Sequence, residues 1–127
     1  MRFARNVFSF AGSYGIVVTL PLYFSEARIG IDQPPAITHP EYFYGFIGVT
    51  LAWQVLFLMV ARDVQRYRMM MLPAILEKFS YAAAGGALFA MGRIGQTVAA
   101  FAAVDLLFGI LFIRAFLLTR EPVPFRP

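Results

Sequence analysis

Leu72-Pro73-Ala74-Ile75-Leu76-Glu77-Lys78, followed by Phe79-Ser80-Tyr81 and the small-residue run Ala82-Ala83-Ala84-Gly85-Gly86-Ala87, places an acid and a base inside an apolar run that continues to Met91. In a soluble protein such a pair sits on a solvated face. Inside a membrane span each charge is costly and normally has a partner, a water-filled space or a function. The reading of the chain therefore turns on whether this stretch is a span.

Composition says that it is. Of 127 residues, 60% are hydrophobic and only 14% are charged, whereas globular domains run at about 25% charged. The mean hydropathy is +0.68. That leaves too little polar surface to cover a soluble particle. Aromatic residues reach 17%, with 14 Phe and 6 Tyr, as lipid-facing surfaces and interfacial belts require. One domain is expected at this length. With no Cys, disulfides, thiolate metal sites and iron–sulfur clusters are excluded. Eleven basic residues, ten of them Arg, give a formal charge of +4. Arg placed between spans sets orientation and faces anionic lipid, so no nucleic-acid partner is expected.

Working outward, four apolar runs predict an all-α fold, a bundle of four transmembrane helices at about 7–24, 42–61, 70–91 and 97–118. Arg2 and Arg5 precede the first run; a signal peptide is the competing reading, and the length of the run and Pro21 favour a retained helix. Residues 25–41 hold Gly30, Pro34, Pro35 and Pro40, which argue for an irregular extracytoplasmic loop with no regular helix. Arg62, Arg66 and Arg68 mark the next connection, and Gly92 to Gln96 the last. Seven Arg fall at the N-terminus, in the 62–68 turn and in the tail, and only Arg28 and Arg93 fall on the other side. The positive-inside rule then puts both termini in the cytoplasm. Short connections predict antiparallel pairing of spans two and three and of spans three and four.

The polar residues of the spans are Gln54, Glu77, Lys78 and Asp105. At a helical rise of about 1.5 Å per residue, Gln54 lies about 18 Å from the outer edge of its span and Asp105 about 12 Å. If the third span starts at Met69, Lys78 is about 13 Å from the inner edge, and the three share a level with Tyr14 and Thr19 beside it. Lys78 then meets Asp105. If the span starts at Pro73, Glu77 sits near the helix start and Lys78 snorkels to the headgroups. A transport or proton-relay role is the third reading of the same residues.

Ala82, Gly86 and Ala90 recur every four residues, as do Tyr81 and Gly85, and Gly109 follows Asp105 by one turn. Small residues at that spacing let helices approach closely in lipid. Phe101, Phe108, Phe112 and Phe116 share one face of the fourth span, which predicts lipid exposure, or else an interface or apolar cofactor groove. His39 is the only histidine; it reads as an interfacial cap or a single ligand contact, and it excludes a bis-histidine haem within one chain. No nucleophile–base set, phosphate loop or metal cluster is present in the sequence, so no enzyme, metal or resident cofactor is expected. Bound lipid, quinone or pigment stays open.

Ala61-Arg62-Asp63, Arg66-Tyr67-Arg68 and Met71 to Lys78 carry a resemblance to small bacterial four-span membrane proteins, and the layout resembles the DoxX-like group. The resemblance implies a bacterial inner-membrane origin and no catalytic residue. The leading expectation is a non-catalytic accessory or structural subunit of a larger, possibly bioenergetic, membrane complex, with lipid and other membrane subunits or itself as partners. The alternatives are a small carrier or channel-like protein for a proton or polar solute, or a binder of quinone, pigment or lipid.

Overall fold

The computed structural model describes residues 2–119 and is all-helical over them. Helix α1 spans Arg2–Thr19 and runs on through a 3-10 segment, Leu20–Phe24. Helix α2 spans Glu26–Asp32, α3 Pro40–Arg62, α4 Met71–Ala90 and α5 Gln96–Leu118. The tail after Thr119, read as loose and polar, lies outside the described residues.

Three segments are long and apolar enough to cross a membrane: Arg2–Phe24, Pro40–Arg62 and Gln96–Leu118. Helix α4 has 20 residues and is not among them, because Pro73, Glu77 and Lys78 dilute its apolar run. Large side chains stand exposed around the outside of the bundle, among them Phe10, Val17, Leu76, Leu107, Ile110 and Leu117. Such a surface suits hydrocarbon as the surrounding solvent.

Two local expectations are corrected. Residues 26–32 form a helix, since the prolines begin only at Pro34. Glu26 supplies the acidic first turn, and Arg28 donates to Asp32 at 2.9 Å one turn on. The start of α4 is Met71, between the two expected positions, and Pro73 falls in its first turn, where a missing N–H leaves no bond unmade.

Packing follows small residues against large ones. Helix α1 lies between α3 and α5, and α4 lies against α5. Phe8, near the start of α1, stacks on Phe112 at 4.2 Å, and Phe57 meets Phe112 edge-on at 5.1 Å. Phe57 and Phe112 sit late in their helices, so α1 runs antiparallel to both α3 and α5. Ala4, Ala11, Val60, Met71, Ala74 and Ala115 close around these rings and are buried. Where lipid is as apolar as the side chains, this close packing carries association in place of hydrophobic transfer.

Helices α3 and α4, expected to pair, touch only sparsely. Their connection is drawn instead to the end of α5. Arg68 donates through Nη2 to the Phe116 carbonyl at 3.0 Å and through Nε to that of Thr119, and its guanidinium lies 3.7 Å from the centre of the Phe116 ring. These carbonyls are among the last four of the helix or just beyond it, where no intrahelical donor is available. Arg68→Met is therefore expected to lower stability by about 2 kcal/mol, the worth of a charged hydrogen-bond set, read as a lower unfolding midpoint in detergent. Arg68→Lys should restore only part of it, because an ammonium cannot copy the planar fork.

Candidate functional site

The gap left between α3 and α4 is a cavity of about 310 Å³. Its polar end is built by three charged residues on two helices. Lys78 is 5% exposed. Its Nζ donates to Asp105 Oδ1 at 3.3 Å and lies 3.7 Å from Glu77 Oε2. The same ammonium is 5.1 Å from the Phe57 ring centre and 5.6 Å from that of Phe108. Lys78 points across the bundle to α5, so the snorkelling geometry is not adopted.

Gln54 comes from α3 and is 1% exposed. Its Nε2 donates to the Thr50 carbonyl at 3.0 Å, while its Oε1 is buried without a hydrogen-bond partner, as is Glu77 Oε2. A Cβ placed on Gly15 would stand 1.9 Å from Gln54 Oε1; only glycine on α1 leaves room for that carbonyl. Buried acceptors without donors are rare in folded proteins and call for an explanation.

The rest of the wall is aromatic and apolar. Tyr14, Phe43, Phe46, Tyr81 and Phe101 line it, and Phe46 approaches Tyr81 at 6.2 Å across the α3–α4 gap. Ile29 of α2 and Gln33, just after it, also line the cavity. Helix α2 is held over it by Tyr44, whose hydroxyl donates to Glu26 Oε2 at 2.8 Å, and by stacking of Tyr23 on Tyr44. At the opposite end the cluster of Phe8, Phe57 and Phe112, each fully buried, fills the interior. Residues at the α2 end thus line one end of the cavity, and this aromatic cluster fills the bundle at the other.

Other predicted residues fall elsewhere. Phe108 and Phe112 are buried at 5% and 0% exposure, so the four phenylalanines do not form an outward face. Phe112 turns inward onto Phe8 and Phe57, and Phe108 onto Tyr14 and Phe10, while Phe101 is partly exposed. Phe101 lines the cavity and Phe116 lies under Arg68. Gly85 and Gly109 are the close-approach points of α4 on α5: an added Cβ would meet Ala102 Cβ at 2.4 Å and the Phe79 ring at 2.8 Å. Gly86 faces open space and Ala90 is exposed; with Ala82 and Gly86 on its wall, a shallow groove of about 530 Å³ runs along α4 and α5. His39 sits at the surface, 3.2 Å from Glu41 Oε1, and is not among the residues that line the cavity.

Sequence reasoning did not single out Gly15 or Thr50, and it read Tyr81 as a helix-packing position and not as cavity wall. A signal was present: Phe46, Thr50 and Gln54, Glu77 and Tyr81, and Phe101 and Asp105 are each four residues apart, hence on one helical face. Comparison with family models, curated proteins and solved structures gave no match to this chain.

Proposed function

We propose that this chain is a non-catalytic membrane protein of four spans, with both termini cytoplasmic in a bacterial inner membrane, that binds a small amphipathic molecule in the α3–α4 cavity from the outer side. The observation that carries the reading is the cavity's polarity. Gln54, Glu77, Lys78 and Asp105 share the lining of an otherwise aromatic and apolar space of about 310 Å³. Pockets for small ligands have this make-up, mostly apolar with a few placed polar groups. The aromatic block beneath argues for binding over conduction. In this reading α4 is the fourth span: Lys78 is charge-paired, which lowers the penalty that keeps α4 from standing out by hydropathy.

Equilibrium dialysis of the purified protein against 2-phenylethanol tests the pocket. One saturable site per chain is expected, and Val98→Trp at the cavity wall should remove it. Uptake that does not saturate, or that Val98→Trp leaves unchanged, overturns the reading. The threading has its own test. Reporter fusions after Gln33 and after Gln96 should behave as external and fusions after Val64 as internal.

A second reading, an accessory subunit of a larger membrane complex, is favoured by the open groove along α4 and α5. Small residues there would let a partner helix approach closely. Recovery of a stoichiometric larger complex in mild detergent supports it, and a solitary chain counts against it.

A further inference from the structure

The polar end of the cavity carries two carboxyl groups and one ammonium, and none of its other lining residues is basic. Asp105 accepts from Lys78 at 3.3 Å. Glu77 Oε2 is 3.7 Å from the same Nζ, too far for a hydrogen bond, and Gln54 Oε1 is equally without a donor. With two carboxyl groups against one ammonium, the polar end is short of positive charge. The walls supply π faces from Tyr14, Phe46, Tyr81 and Phe101, surfaces that attract a cation when water is excluded.

From this we infer that the ligand is a small organic cation, a primary ammonium on a short apolar or aromatic stem; the inference rests on the pocket reading above. An ammonium has three N–H donors and no acceptor. Its positive charge is drawn by the Glu77 and Asp105 carboxylates, and its stem occupies the aromatic walls. Repulsion from Lys78 is offset because Asp105 is bonded to Lys78. An anion meets two carboxyl groups. A neutral alcohol carries no charge for the carboxylates to attract.

Three probes on a common phenylethyl stem separate the possibilities: 2-phenylethylammonium, 2-phenylethanol and 3-phenylpropionate, titrated against the detergent-purified full chain at neutral pH. The ammonium should bind at least about tenfold more tightly than the alcohol, the scale of a charge-assisted bond, and the propionate should show no saturable binding. Glu77→Gln preserves shape and removes one carboxylate, so it should bring the ammonium close to the alcohol's affinity; an undiminished preference for the ammonium in this variant overturns the inference. Equal affinity of ammonium and alcohol in the unaltered protein overturns the inference; if that shared binding is lost in Val98→Trp, the pocket itself stands. If neither probe binds saturably, pocket and cation both fall.

Discussion

Lys78→Met should destabilise the protein by about 3–5 kcal/mol, the usual loss when one member of a buried charge pair is removed. The variant leaves Glu77 and Asp105 facing each other across the space that Nζ occupied, 3.7 Å from one and 3.3 Å from the other. Asp105→Leu should cost less, since Lys78 keeps Glu77 nearby. The double variant, Lys78→Met with Asp105→Leu, should be more stable than Lys78→Met alone, because it removes one of the two stranded carboxyl groups. Unfolding in mixed micelles of rising denaturing-detergent content, followed by Trp53 fluorescence, provides the measurement. Losses that simply add across the double variant would mean that the charges do not interact and that Lys78 reaches the headgroups instead.

The second large effect concerns the α4–α5 contact. Gly85→Leu should cost about 3 kcal/mol, at the upper end of overpacking penalties. The side chain begins 2.4 Å from Ala102 Cβ, and Ala102 has no flexible end to move aside, so the helices must part. Gly86→Leu, one residue on, projects into open space and should change stability by less than about 0.5 kcal/mol. The same unfolding assay reads both. Equal losses at the two positions would place the tight contact on the Gly86 face and contradict the packing described.

Much of the architecture was legible because lipid imposes simple rules. Long apolar runs mark the helices, and Pro40 and the turn at Gly92 to Gln96 mark their ends. Depth arithmetic brings Gln54, Lys78 and Asp105 to one level, since helical rise hardly varies. Facing direction is harder to read. Every face of a span is apolar, so the phenylalanines of α5 look the same whether they meet lipid or Phe8. The same ambiguity hid the choice of Gly85 over Gly86, which depends on where Ala102 falls on the neighbouring helix. The sparse α3–α4 contact was not legible either. Short connections suggest pairing, and the pull of Arg68 toward the end of α5 is a long-range effect with no local pattern. Helix α2 was missed because three prolines and a glycine dominated the reading of 25–41, although the first proline lies beyond the helix.

The proposed pocket is reached from the outer side to mid-span and closed from the cytoplasm. With no native cysteine, a single Thr50→Cys variant tests it directly, since Thr50 lines the cavity two turns and more into α3. A membrane-impermeant maleimide added to intact cells should modify this cysteine, and the same reagent on inverted vesicles should not. Modification only in inverted vesicles, or no modification from either side, would contradict the account.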